Sequence, residues 1–198
     1  MDYKAYMNAG PKVRNLAPWI VLFGLCLLLQ AGGLEPVLNF DRARIANGQW
    51  WLLLTGHLVH LNWSHFGLNM AGLAIVAVFF SDYLPLKQWL ILLLWSLLFT
   101  GVCLYLFSTN LQRYVGLSGV LHGLFIVGAW MELKRYRLSG TVLLLGLVAK
   151  LSWEQLVGAM PGSEAMTGGH VAVAAHLYGA ISGALFLLAK AGLAKLKY

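Results

Sequence analysis

The 198-residue chain is 60% hydrophobic and only 11% charged. That composition excludes an ordinary soluble domain and leaves room for several apolar segments of ~20 residues, the length that crosses a hydrocarbon layer. Its net charge of +7 falls in clusters between apolar runs and forms no single patch, so it reads as a topology signal and not as a nucleic-acid surface.

Taken in order, the apolar runs predict six membrane spans at about 17–34, 65–83, 86–107, 115–133, 138–158 and 171–193. The expected architecture is all-α, a polytopic six-helix membrane bundle forming one domain over residues 1–198, with no internal repeat or linker. Between the first two spans lies a long loop, about 35–64, rich in Trp, His and Asn. Cys26 and Cys103 sit inside apolar runs as small core residues, with no spacing for a disulfide framework or a metal site.

Basic residues set the expected orientation. Lys4, Lys12 and Arg14 precede the first span, Lys134, Arg135 and Arg137 separate the fourth and fifth, and Lys190, Lys195 and Lys197 close the chain. With six spans these clusters share one side, the cytoplasmic one, and both termini lie there. The long first loop and the loops around Arg113 and Glu164 then face the other side. The basic, apolar start also has the look of a signal peptide, but its apolar run is long for one, and cleavage would not alter the sidedness of the rest.

Spans two, four and six enter from that outer side, and each carries polar residues near its start. His65 and Asn69 open the second span, Ser118 the fourth and His176 the sixth. At ~1.5 Å rise per residue all four reach a similar shallow depth. His65 and Asn69, four apart, share a helix face. His176, Gly179, Ala180 and Gly183 share another, small enough for a neighbouring helix to come close, and Gly119 and Gly123 offer the matching approach on the fourth span. Close packing of those two helices would bring Ser118 within reach of His176.

Polar groups at membrane depth are costly and default to a functional reading. A serine hydroxyl needs a base to become a nucleophile, and a neutral imidazole suits that work near neutral pH. His176 is the expected base. The Ser118 backbone N–H, the Asn69 amide and the His65 ring are the expected donors to a developing oxyanion. No carboxylate lies near in sequence, so the expected machinery is a dyad. His122, one turn after Ser118, either supports the His176 ring or simply packs.

Three motifs then carry a resemblance: His60-x4-His65-x3-Asn69, Gly116-x-Ser118-Gly119, and Ala175-His176-x2-Gly179-x3-Gly183. In these the chain resembles the rhomboid intramembrane serine proteases over nearly its whole length. Within that family Ser118-Gly119-Val120-Leu121-His122-Gly123, Trp153-Glu154-Gln155 and Ala175-His176-Leu177-Tyr178-Gly179 resemble the rhombosortase branch. The resemblance implies catalytic Ser118 and His176, support from Gly116, Gly119 and Gly179, no cofactor and no metal. It also implies a bacterial inner-membrane location with the site opening to the periplasm. The implied substrate is a membrane protein ending in a Gly-Gly motif, a transmembrane helix and a basic tail, cleaved near its C-terminus. Two positions depart from the family. The first loop has Trp51-Leu52 where relatives carry Trp-Arg, and His122 stands where many carry a tyrosine that stacks on the catalytic histidine.

Other readings remain beside this one. A serine in a membrane helix commonly bonds a carbonyl one turn back, and Asn69 can act as interhelical glue. His57, His60 and His65 together suggest zinc, but no His-Glu-x-x-His pattern accompanies them. Lys150 and Glu154, four apart, are either a self-satisfying buried pair or, with Trp153, a reader of the substrate segment. The loop 161–169, with three glycines, is a mobile cap or a plain connector. A client-binding rhomboid-like protein without activity, or a small transporter, would be the non-protease alternatives.

Overall fold

The computed structural model describes residues 16–195, and six long helices dominate them. They are α1 Ala17–Ala31, α2 Trp63–Phe80, α3 Leu86–Phe107, α4 Ser118–Arg135, α5 Arg137–Leu156 and α6 Val173–Lys195. Lys4, Lys12, Arg14 and Lys197, four of the residues behind the expected orientation, lie outside the described residues.

Local chemistry sets several of the helix ends. Pro18 sits in the first turn of α1, where its missing N–H costs nothing. Asn62 is extended ahead of α2, and its Oδ1 accepts from the His65 backbone N–H at 2.8 Å, which fixes the turn that carries His65. α4 and α5 form a tight hairpin with only Tyr136, in an extended conformation, between them.

α4 is the central helix, packed on α2, α3, α5 and above all on α6. The main core joins Trp19 and Cys26 of α1, Phe66 and Leu73 of α2, Leu92 of α3 and Leu124 of α4. Around this core the outward faces remain apolar: Ile20, Leu28, Phe79, Leu94, Leu145 and Leu188 are exposed. Such a belt suits a hydrocarbon solvent and would be a liability in water. The segments Trp63–Tyr83, Leu86–Phe107 and Val173–Leu193 are long and apolar enough to cross a membrane, and α1 is a shorter apolar helix. α4 and α5 are of similar length but less apolar, because they carry Ser118, His122, Lys150 and Glu154 as well as the basic hairpin.

The first loop departs from a purely helical reading. Its residues Phe40–Asp41 (β1) pair antiparallel with Arg113–Tyr114 (β2), Phe40 opposite Tyr114. Arg42 then reaches the C-terminal end of α3, where the last carbonyls of a helix lack partners. Its guanidinium donates to the carbonyls of Leu104, Tyr105, Ser108 and Leu111 at 2.8–2.9 Å. The loop is therefore braced by an arginine despite Leu52 following Trp51. A second core of Phe40, Ile45, Leu52, Leu104, Tyr114 and Ala175 fills the space beneath it.

Candidate active site

The approach of α4 and α6 creates the site. A β-carbon on Gly123 would lie 2.7 Å from the Gly179 carbonyl oxygen, and one on Gly183 2.4 Å from the Gly123 oxygen. Only glycines allow backbones this near. At the N-terminal ends of the two helices Ser118 Oγ stands 2.9 Å from His176 Nε2. Spacing alone put the two residues at one depth; packing makes them hydrogen-bond partners.

Ser118 opens α4, so its backbone N–H is among those without an intrahelical acceptor. The turn before it depends on Gly116, whose φ is +112° and whose N–H donates to the Gly56 carbonyl at 3.0 Å. A β-carbon there would stand 2.6 Å from His65 Nε2 and 3.5 Å from Asn69 Nδ2. Gly116 thus brings the His65 ring and the Asn69 amide against the chain just ahead of the serine. Asn69 Nδ2 donates one proton to the His65 carbonyl at 3.1 Å and retains a second. Ser118, His65, Asn69 and His176 all line one cavity of about 520 Å³, which also reaches Leu68 of α2 and Lys150 of α5.

The sequence has no carboxylate close to Ser118 or His176, but the fold brings one to the histidine. Glu154 Oε2 lies 2.9 Å from His176 Nδ1, and the carboxylate is 2% exposed. Its Oε1 accepts from Lys150 Nζ at 2.6 Å. Lys150 Nζ also meets His122 Nε2 at 3.0 Å, and His122 Nδ1 meets the Ser118 carbonyl at 2.7 Å. The His122 ring stacks on His176, centroids 4.3 Å apart and planes 20° apart, so the histidine in the tyrosine position keeps the stack. Both carboxylate oxygens of Glu154 are engaged by protein groups, and the residue also lines the cavity. Trp153 points away, 43% exposed and outside the cavity lining.

The remaining histidines separate from this centre. His57 packs edge-on against Tyr114, and His60 against His65 and Phe66. Burial lowers the His57 ring to about 4 and the His60 ring to about 3, with the nearby His65 adding to the second effect. His170 pairs with Glu164 at 2.7 Å on the exposed surface. Among the described residues the ligand-type atoms that gather within 4.8 Å belong to His122, Glu154 and His176, not to His57, His60 and His65. The Lys150 ammonium already bridges the first two of those, so a divalent cation would have to displace it.

The loop 161–169 is more ordered than its glycines suggested. It contains a short helix, Ser163–Thr167, between Gly162 and Gly168, both left-handed. Asn62 Nδ2 donates to the Thr167 carbonyl at 2.8 Å and Ser64 Oγ to the Met166 carbonyl at 2.5 Å, strapping the segment to the start of α2. Met160, Ser163 and Thr167 contribute to the cavity wall.

Comparison with known proteins identifies the family. The family model described as "Rhomboid domain" matches residues 47–191. The chain belongs to the rhomboid family. It is also 26% identical over 141 residues to the Bacillus subtilis (strain 168) protein named "Putative rhomboid protease YdcA", an alignment covering 71% of this chain and 67% of that protein. Membership in the rhomboid family supports a membrane-embedded protease as the class of activity, and the matched region contains every residue of the site just described.

Proposed function

We propose that this rhomboid-family chain is an intramembrane serine endopeptidase in which Ser118 is the nucleophile and His176 the base. The observation that carries the reading is the 2.9 Å Ser118–His176 contact at the wall of a cavity that also holds His65 and Asn69. Ser118 Oγ bonds to the scissile carbonyl carbon as its proton passes to His176 Nε2. The Ser118 N–H, the Asn69 amide and the His65 ring receive the negative oxygen. The carbon–nitrogen bond then breaks, the departing amine takes the proton from His176, and water or an amine acceptor releases the acyl group from Ser118.

The substrate is a membrane-tethered protein with a C-terminal Gly-Gly motif, helix and basic tail, entering between α2 and α5. Gly-Gly at the cut favours this, because the bond must leave a helical conformation and glycine is among the poorest helix formers. The site faces the periplasm of a bacterial inner membrane, with both termini cytoplasmic. Co-expression of a reporter carrying such a tail with wild type, Ser118→Ala and His176→Ala tests the reading. Processing by wild type alone is expected, and the product mass distinguishes hydrolysis from transfer to an amine. Equal processing by all three would overturn the assignment of nucleophile and base. A wild type that cuts other membrane segments but not this reporter would overturn the substrate class alone.

A further inference from the structure

The contacts around Ser118 form a closed circuit. From Ser118 Oγ it runs through His176, Glu154, Lys150 and His122 and returns to the Ser118 carbonyl, every step between 2.6 and 3.0 Å. We propose that Glu154 is the positioning residue of His176, completing a Ser118–His176–Glu154 triad, and that Lys150 and His122 lock this triad into a ring that begins and ends on the nucleophile. The proposal rests on the protease reading above and deepens it.

Donor and acceptor roles leave one consistent assignment. A carboxylate only accepts, so His176 Nδ1 must carry the proton that meets Glu154 Oε2. His176 Nε2 then presents a lone pair to the Ser118 hydroxyl, as a general base requires. An ammonium only donates, so Lys150 gives one proton to Glu154 Oε1 and another to His122 Nε2. His122 Nδ1 is left to donate to the Ser118 carbonyl. No atom in the circuit faces a like partner.

Each member then has a distinct task. A buried carboxylate at membrane depth needs a counter-charge, which Lys150 supplies from the same face of α5, one turn away. A Lys–Glu pair would be satisfied by itself, yet the second carboxylate oxygen is aimed across at α6. When Ser118 loses its proton to His176, the Nδ1 proton stays where it is, and Glu154 faces the positive charge that has formed on the ring. The neutral His122 ring, stacked on that imidazolium, offers it a π face. The i,i+4 pairs Ser118–His122 on α4 and Lys150–Glu154 on α5 make the circuit a property of three helices packed together.

The test uses the purified full chain and a fluorophosphonate probe, reading the maximal rate of Ser118 labelling separately from the half-saturating probe concentration. Glu154→Gln keeps the shape but puts an amide donor on His176 Nδ1, which favours the wrong tautomer. The maximal rate should fall roughly a hundredfold or more, with half-saturation changed less than about threefold. Glu154→Asp, which keeps an acceptor, should recover a large part of the loss. Labelling of Glu154→Gln within about threefold of wild type, with Ser118→Ala unlabelled, would overturn the triad and leave the protease reading standing. An unlabelled wild type would overturn both. Ring-nitrogen NMR of the wild type decides the matter if the variants do not fold: a proton on His176 Nδ1 supports the triad, and its absence overturns it.

Discussion

A β-carbon placed on Gly179 would lie 1.7 Å from the carbonyl oxygen of Gly119. The obstacle is backbone, so no side-chain rotation can relieve it. α6 would have to move away from α4, and with it His176 from Ser118.

Gly179→Ala should therefore slow serine labelling strongly and lower the thermal midpoint of the protein. A displacement of about 1 Å in a catalytic pair is enough for roughly a hundredfold loss. Gly192→Ala on the same helix meets nothing within 4 Å and should keep full activity, with at most a small gain in helix stability. Fluorophosphonate labelling and a melting curve on both variants check the pair. Normal labelling of Gly179→Ala would mean that the close approach does not position the base.

How far this site could be read from the sequence depends on what each contact leaves in it. The meeting of Ser118 with His176 was legible because its cause, small residues spaced along two helix faces, is written in the chain. The role of Glu154 was not. Its spacing from Lys150 fits a self-contained pair equally well, and its approach to His176 depends on how α5 rotates against α6. Arg42 was missed for another reason: its partners are backbone carbonyls more than sixty residues away, and a carbonyl has no sequence signature. Likewise the strap at Ser163–Thr167 is held by side chains of Asn62 and Ser64 on its main-chain oxygens, so the loop's own composition could not announce it.

Arg42 ties the first loop to the end of α3 through its four carbonyl partners, and its guanidinium also lies over the Tyr105 ring at 5.0 Å. A lysine supplies charge but not the planar fork. Arg42→Lys should cost about 1–3 kcal/mol and Arg42→Ala more, because carbonyls then lose a charged donor. Chemical denaturation in mixed micelles reads both. Equal stability of Arg42→Ala and wild type would show that the brace is dispensable.

His57 and His60 make stability depend on pH. Burial lowers them to about 4 and about 3 from the ordinary 6.5. Between these limits the unfolded chain binds protons that the folded chain refuses. Their contribution is therefore complete above about pH 6.5 and declines as pH falls toward the folded values, by at most ~1.4 kcal/mol per pH unit for each ring. The thermal midpoint should drop between about pH 6.5 and pH 4. His60→Phe, which keeps a ring against Phe66, should flatten that slope. An unchanged slope would assign the acid sensitivity to other groups.

The strap between α5 and α6 gives the last prediction. Asn62 both holds the Thr167 carbonyl and caps α2 ahead of His65, so replacing it would disturb the site itself. Ser64 offers a cleaner lever, since its Oγ contacts the Met166 carbonyl and its side chain points to the exposed side. If the strap must lift for a bulky reagent to reach Ser118, losing one hydrogen bond of ~1 kcal/mol raises the open population about fivefold. Ser64→Ala should speed labelling by a bulky fluorophosphonate by about that factor, with less effect on a small one. Equal rates for both probes in both proteins would show that lifting the strap does not limit access to Ser118.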